Sequence, residues 1–464
     1  MKRRHLEDMG IPRGDAMTLA QAAAREASAV GQDKATIRGT LLDIVEQPAD
    51  FLKDPIFGKL AAHLARATAE PVGGYEFKEE PQYPIWGSGI EPDALRQMTN
   101  ACRLPVSVAG ALMADAHVGY GLPIGGVLAV DRAVIPYAVG VDIACRVMVT
   151  IFDVPPQRLQ QRQHEFEKIL ERNTVFGIGG KWRPRKQHPV MDLDWNVTPV
   201  TAGLKDLAAD QLGTSGSGNH FVEFGEIEFT HEALGVPAGT YLAVVSHSGS
   251  RGPGAQVCSH YSKVARALHP KLPKELSFLA WLPIDGDGAE YWAAMEMMGR
   301  FASANHHLIH EGIVNELGER VLLQVENHHN YAWQEEHLGR KVIVHRKGAT
   351  PADRGAIGYI PGSMATPGYL VEGLGDPRSL NSASHGAGRR MSRKAAKERF
   401  TWSDIQSLLK QRGVKLMSAG RDEAPNAYKN IDDVMAAQSN LVRPLARFMP
   451  RLVRMAREGE KPED

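Results

Sequence analysis

Cysteine is scarce in this chain. There are three in 464 residues, Cys102, Cys145 and Cys258, far apart and with no C-x-x-C pair. That excludes a disulfide framework and a structural zinc knuckle. Nor is there an uncharged apolar run long enough to span a bilayer, and the basic start Met1-Lys2-Arg3-Arg4 lacks the apolar stretch of a secretory signal. No membrane association is expected, and cytoplasm is the expected compartment. Net charge is missing too, 54 basic residues balancing 54 acidic ones. A nucleic-acid partner would need a local basic patch, because the whole molecule offers no attractive field. Neither a G-x-x-x-x-G-K-[ST] phosphate loop nor an H-E-x-x-H motif occurs.

Glycine, by contrast, is plentiful at 46 residues, which suits tight turns and close backbone approaches. Residues 1–75 read as a helical N-terminal extension: 19–29 is alanine-rich and 56–67 has apolar residues at helical spacing. Pro71-Val72-Gly73-Gly74-Tyr75 is a turn cluster and a boundary signal, leaving 76–464 as the catalytic domain. Beyond it, short β-branched runs at 127–130, 147–152, 241–245, 321–325 and 342–344 predict strands, and 220–229 alternates like a half-buried one. Helices are predicted over 156–172, 256–268, 290–317, 392–410 and 431–441. These elements do not alternate in a strict βαβ rhythm, so the fold class is α+β. The tail 458–464 is charged.

Histidines recur in short polar strings at strand ends: Gly218-Asn219-His220, Ser246-His247-Ser248-Gly249-Ser250-Arg251-Gly252, His328-His329-Asn330-Tyr331 and Ser384-His385-Gly386-Ala387-Gly388-Arg389. Gly140-Val141-Asp142-Ile143-Ala144-Cys145 belongs with them. A carboxylate, a thiolate and several imidazoles suit a borderline divalent ion such as Mn²⁺ or Zn²⁺. A lone cysteine is usually inert core, but Asp142 and the histidine strings argue for a ligand. His328 and His329 face opposite ways in an extended segment, so at most one is a ligand, and spacing does not say which. His306 and His310, one helical turn apart, read instead as a solvated or core-edge helix face.

Gly213-Thr214-Ser215-Gly216-Ser217-Gly218-Asn219, Ser248-Gly249-Ser250 and Pro361-Gly362-Ser363-Met364 offer backbone N–H groups for an anion. Arg251, Arg346, Lys347, Arg389, Arg390 and Arg393 lie close by in sequence, and guanidinium forks match phosphate oxygens in pairs. His385 stands apart, between a glycine and a run of arginines. A neutral imidazole nitrogen there can attack phosphorus while the cations stabilise developing charge, so His385 reads as a nucleophile.

Taken together, the strings resemble the RtcB family of RNA ligases over roughly residues 80–442. Besides those above, they include Asp115-Ala116-His117-Val118-Gly119-Tyr120-Gly121, Arg346-Lys347-Gly348-Ala349, Asp422-Glu423-Ala424-Pro425 and Ala427-Tyr428-Lys429-Asn430. The resemblance implies mixed or antiparallel sheets, with helices around them, enclosing a central metal-binding cleft. It also implies joining of RNA 2′,3′-cyclic phosphate or 3′-phosphate ends to 5′-hydroxyl ends, through a histidine–GMP intermediate and RNA(3′)pp(5′)G. GTP and two Mn²⁺ ions are the implied cofactors, and tRNA or rRNA fragments the implied partners. Whether an activating protein takes part stays open.

By the same resemblance Asp142, Cys145 and His220 hold one ion, and Cys145, His247 and His329 the other. Asn219, Phe221, Glu223, Ser363, His385, Gly386, Ala387, Gly388 and Tyr428 hold the guanylate. Arg251, Lys347, Arg389 and Arg393 carry RNA phosphate. Departures from the family pattern are Ala144 and Arg146 around the cysteine, Ala114 before Asp115, and Pro367-Gly368. The largest is Met455, near the place of a lysine that contacts guanine in relatives; Arg454 and Arg457 are the nearest cations. A metal-dependent phosphoesterase or an RNA-end binding protein that has lost guanylate transfer is the competing expectation.

Overall fold

Alanine, the strongest helix former, shapes the N-terminal unit. In the computed structural model, which describes residues 3–7, 9–12, 15–68 and 74–460, the chain divides into the units Met1–Val72 and Gly73–Asp464. Residues 71–73 of the predicted turn cluster and 461–464 of the charged tail lie outside the described residues. In the first unit, helices Asp15–Ala29, Lys34–Glu46 and Gly58–Thr68 bury Ala20, Ala27, Leu41, Ile44 and Leu60 against one another. Asp33 starts the second of these by accepting the N–H groups of Ala35 and Thr36, satisfying two donors that no helical carbonyl can reach.

The second unit is a mixed α+β structure built on β1 (Ser107–His117), β2 (Ile124–Val130), β3 (Arg146–Phe152), β4 (Phe221–Phe229), β5 (Gly239–Ser248), β6 (Val321–His328), β7 (Asn330–His337), β8 (Arg340–Lys347), β9 (Ile357–Ile360), β10 (Gly368–Gly373), β11 (Lys415–Ser418) and β12 (Val442–Met455). A four-stranded antiparallel sheet runs β1-β2-β8-β7. The larger sheet runs β9-β10-β12-β4-β5-β3-β6, antiparallel throughout, with β11 parallel to β12. Its two ends nearly close. The Asn327 side chain on β6 accepts the Tyr359 N–H of β9 at 2.7 Å and donates to the Tyr359 carbonyl at 3.3 Å. A side-chain amide thus stands in for a missing strand pair.

Both faces of this sheet are covered. Val147, Val149, Ile151, Ala243 and Val245 point into one apolar cluster, and their neighbours Phe152, Leu242 and Val244 into another. The second cluster is capped by helices Gln163–Asn173 and Asp287–Leu317. Residues 220–229, expected to be half-buried, are therefore buried on both faces over most of β4. Each aromatic so covered contributes on the order of 1.5–3 kcal/mol.

Two predicted helices break where their sequences offer a stop. Residues 156–172 form Gln157–Gln161 and Gln163–Asn173. The 392–410 stretch divides into Arg393–Arg399 and Trp402–Gln411 because Thr401 and Asp404 make a reciprocal capping box. The helix expected over 431–441 ends at Ala437. His306 and His310 are not on a solvated or core-edge face. Both are fully buried and hydrogen-bond Ser246 Oγ at 2.7 and 2.8 Å, and His310 also reaches Thr150 Oγ1 at 2.7 Å.

Candidate active site

The antiparallel order explains how distant histidines meet. Along β4, β5, β3 and β6 the chain enters, leaves, enters and leaves the same edge, with Phe221 opposite His247, His247 opposite Val147, and Arg146 opposite His328. His220 precedes β4, His247 is near the end of β5, Asp142 and Cys145 precede β3, and His329 follows β6. Cys145 Sγ lies 3.1 Å from His247 Nε2 and 3.5 Å from His220 Nε2. His220 Nε2 is 3.1 Å from Asp142 Oδ2, and His247 Nε2 is 3.3 Å from His329 Nε2. All five residues are buried.

This donor set fits a divalent metal. His247 Nδ1 donates to the Asn219 carbonyl at 3.2 Å, which places its hydrogen there and turns the Nε2 lone pair into the cluster. Burial pushes the His247 pKa down to about 3 and that of His329 well below the ordinary histidine value, so both rings are neutral, the ligating form. Cys145, His220 and His247 present sulfur and nitrogen within 4.8 Å of one another. His328 takes no part: its ring packs on Tyr331 and Trp333, with centroids 5.1 Å apart in each case.

Several N–H groups of two glycine-serine strings are already bonded within the protein. In the first, the N–H groups of Gly213, Thr214 and Ser215 bond to Asn305 Oδ1, the Gln211 carbonyl and the Val175 carbonyl. They are spent inside the protein. In the second, Ser250 N–H holds Asp142 Oδ1 at 2.9 Å, so the loop cradles the protein's own carboxylate in place of an external anion. A Cβ on Gly249 would stand 2.1 Å from both Asp142 carboxylate oxygens, which only glycine avoids. Arg251 is likewise turned inward. It is 1% exposed and donates to Thr214 Oγ1 and the Gly177 carbonyl.

His385 sits beside the cluster, its ring centroid 4.8 Å from that of His329. Its Nδ1 is 2.7 Å from Asp115 Oδ2, which also accepts the backbone N–H groups of His385 and Gly386 at 3.2 and 3.3 Å. Asp115 is fully buried. Burial works to raise its pKa, yet the His385 hydrogen bond and the nearby His385, Lys429 and His117 charges outweigh that and hold it below the ordinary value. An ionised acceptor fixes the hydrogen on Nδ1 and leaves Nε2 as a lone pair. Gly388 gives room: a Cβ there would lie 2.0 Å from the Asp115 carbonyl oxygen. Sequence reading missed Asp115 as a site residue. It belongs to the Asp115-Ala116-His117 string, but nothing local in the sequence ties it to a histidine 270 positions away.

Two cavities share His385, His117, Ile124, Asn219 and Arg389 as a common wall. One contains every residue expected at the guanylate: Asn219, Phe221, Glu223, Ser363, His385, Gly386, Ala387, Gly388 and Tyr428. The other reaches Asp142, Cys145, His220 and His329, with Lys347, Arg389 and Arg393 on its walls. Arg389 and Arg393 pair with Glu423, and Arg393 also with Asp422 at 3.2 Å. Tyr428 donates its hydroxyl to Glu423 and lies under Arg389. Burial brings the Lys347 pKa down to about 8, with Nζ donating to the Tyr120 carbonyl.

Glu223 is 5% exposed, and its carboxyl has neither an ion-pair nor a hydrogen-bond partner among the described residues. Burial alone pushes its carboxyl up to about 8. Met455 and Val453 of β12 line the same cavity. Arg454, between them, alternates to the opposite face of the strand, donating to the Leu170 and Thr174 carbonyls and to Thr174 Oγ1. It does not take the place of the lysine.

An α+β chain that joins a sulfur-and-imidazole cluster to a carboxylate-held histidine between two cavities is built as an enzyme. A family model described as tRNA-splicing ligase RtcB matches residues 97–197 and 194–456. The RNA-splicing ligase RtcB of Escherichia coli (strain K12) is 31% identical over 409 residues, covering 79% of this chain and 96% of the relative. The tRNA-splicing ligase RtcB of Thermococcus kodakarensis is 31% identical over 77% of this chain and 89% of its own length, and the RNA-splicing ligase RtcB of Mycobacterium bovis 32% over 76% and 98%. The chain belongs to the RtcB family of RNA-splicing ligases. Among the described residues, no helix is long and apolar enough to cross a membrane.

Proposed function

We propose that this chain is a GTP- and Mn²⁺-dependent RNA ligase, sealing RNA 3′-phosphate or 2′,3′-cyclic phosphate ends to 5′-hydroxyl ends. The observation that carries the proposal is the Asp115–His385 pair at the wall between the two cavities. Held at Nδ1, His385 presents Nε2 to an α-phosphate lying in the guanylate cavity. Nε2 bonds to phosphorus, the bond to pyrophosphate breaks, and a histidine–GMP adduct results. An RNA 3′-phosphate oxygen then takes the guanylate from His385, and a 5′-hydroxyl displaces GMP to form the phosphodiester.

Asp142, Cys145 and His220 would hold one Mn²⁺ and Cys145, His247 and His329 a second, and such ions when bound supply positive charge to phosphate oxygens. Lys347, Arg389 and Arg393 position RNA phosphate along the second cavity. Asp422 and Glu423 fix the two arginines in place, so little reorganisation is needed when an anion arrives. The physiological RNAs we propose are cleaved tRNA or rRNA fragments.

The test is incubation with α-labelled GTP and Mn²⁺. Covalent label that survives base and is lost in acid is expected on the wild type and absent from His385→Ala. An unlabelled wild type that still opens cyclic phosphates would replace the ligase with a phosphoesterase.

A further inference from the structure

We propose that the exposed segment 181–186 is a second RNA-binding surface, which takes the phosphate backbone of the substrate away from the ends being joined. The inference rests on the ligase reading, which makes RNA the partner. Its first support is charge. The molecule as a whole is neutral, so an RNA needs a local excess of cations. Lys181, Arg183, Arg185 and Lys186 supply four within six residues, and no aspartate or glutamate occurs from 173 to 191. The first three are exposed and Lys186 is half-buried. Arg183 Nη1 and Arg185 Nε lie 3.0 and 2.6 Å from the same Asp210 Oδ1, so two guanidinium groups share one carboxylate. Asp206 stands 3.6 Å from Arg185 and is itself almost wholly exposed. Such exposed pairs are loosely held, so an incoming phosphate can share both forks. Neither lysine has a carboxylate partner among the described residues. Glu460 approaches only at Gly177 and Glu311 at His188, on either side of the segment.

The second support is that these cations are held in place beside the catalytic wall. Trp182 Nε1 donates to the Gly213 carbonyl at 2.8 Å, and Gln211 Nε2 to the Ile178 carbonyl at 2.9 Å. Gly177 N–H bonds to the Gly216 carbonyl, and Arg251 donates to the Gly177 carbonyl. The stretch 211–216 so gripped runs on into Asn219 and His220, which line the second cavity. Asn219 is six residues beyond Gly213, so the two are at most about 22 Å apart. An RNA strand leaving the cavity can therefore meet the segment within a few nucleotides. Lys186 Nζ lies over the Trp182 ring, 4.7 Å from its centroid. With its indole N–H tied to Gly213, the ring is a fixed platform that keeps the ammonium in one place. A preplaced point charge suits a phosphate oxygen and carries no sequence information.

The double variant Lys181→Ala/Lys186→Ala, changed outside both cavities, tests this with RNA of two lengths. One substrate carries arms of about 16 nucleotides on each side of the joint, the other only a dinucleotide on each side. For the long RNA the slope of log K against log salt should fall by about 1.4, the amount for two single-strand phosphates, and KM should rise about tenfold with kcat unchanged. Joining of the dinucleotides, and the acid-labile label on His385, should match the wild type. Lys181→Arg/Lys186→Arg, which keeps both charges, should restore the slope. An unchanged slope for the long RNA overturns the inference, and so does an equal loss for both lengths. A wild type that takes no label from GTP overturns the ligase reading instead, and the slope then still reports whether the segment meets RNA.

Discussion

Asp115 Oδ2 accepts three donors from one turn of chain, His385 Nδ1 and the backbone N–H groups of His385 and Gly386. One oxygen therefore fixes both the position of the loop and the tautomer of its imidazole. The carboxylate's remaining oxygen has no hydrogen-bond partner among the described residues, so orientation of His385 is the chief service of this buried charge.

Asp115→Asn keeps the shape but can point an amide N–H at Nδ1, moving the ring hydrogen to Nε2. Guanylate transfer to His385 should slow by about 10²- to 10⁴-fold. The rate of base-stable label incorporation measures it. A variant as fast as the wild type would show that Asp115 does not set the tautomer.

Cys145→Ser keeps roughly the volume of the side chain and removes the sulfur that stands between His220 and His247. Affinity for Mn²⁺ by calorimetry should fall at least about 100-fold. A Co²⁺-loaded wild type should show a thiolate charge-transfer band that the variant lacks. Equal spectra would place the sulfur outside the coordination sphere.

Gly249→Ala puts a methyl group against the Asp142 carboxylate. The carboxylate must rotate away from His220, so Mn²⁺ affinity should drop while nucleotide-analogue binding in metal-free buffer stays within about twofold of the wild type. Unchanged metal affinity would show that Asp142 does not hold the ion.

Glu223 is held protonated by burial, so its effect on stability has a definite sign. Between the ordinary glutamate pKa and about 8 the folded chain keeps a proton that the unfolded chain has released. The stability this gives is fully present below the ordinary value and is lost as pH rises through about 8. The melting temperature of metal-free wild type minus that of Glu223→Gln should therefore fall between pH 5 and pH 9. A flat difference would mean that the carboxyl titrates as if exposed.

Arg251 and Arg393 should separate. Arg251→Ala leaves the Thr214 hydroxyl and the Gly177 carbonyl without their buried guanidinium and should destabilise the fold by roughly 1.5–3 kcal/mol by denaturant titration. The salt dependence of RNA binding should not move. Arg393→Ala should instead lower the slope of log K against log salt by about 0.7, the amount for one single-strand phosphate. A reduced slope for Arg251→Ala would show that this residue does meet RNA.

The convergence of these side chains was legible in the sequence because it rests on residue type and strand ends. Asp142, Cys145, His220, His247 and His329 each sit in a recognisable polar string, and the antiparallel order brings those strings to one edge. What a loop does with its N–H groups was not legible. The strings at Gly213 and Gly249 have the composition of anion nests, but Asn305 and Asp142, far away in sequence, take their hydrogen bonds. Strand β12 was hidden for another reason. Pro444 and Pro450 argue against a central strand, and the structure seats both at register shifts against β10 and β4. His306 and His310 were misplaced because burial of a polar helix face depends on hydroxyls from β5 and β3.

The pairing of Asp115 with His385 also dictates when the enzyme can first exist. On a chain emerging from the ribosome, the carboxylate appears 270 residues before the imidazole it must hold. Every shorter nascent species therefore lacks the oriented imidazole of His385. Activity arrives late in synthesis, together with β12, the strand that bridges β10 and β4 in the large sheet and adds Met455 to the cavity.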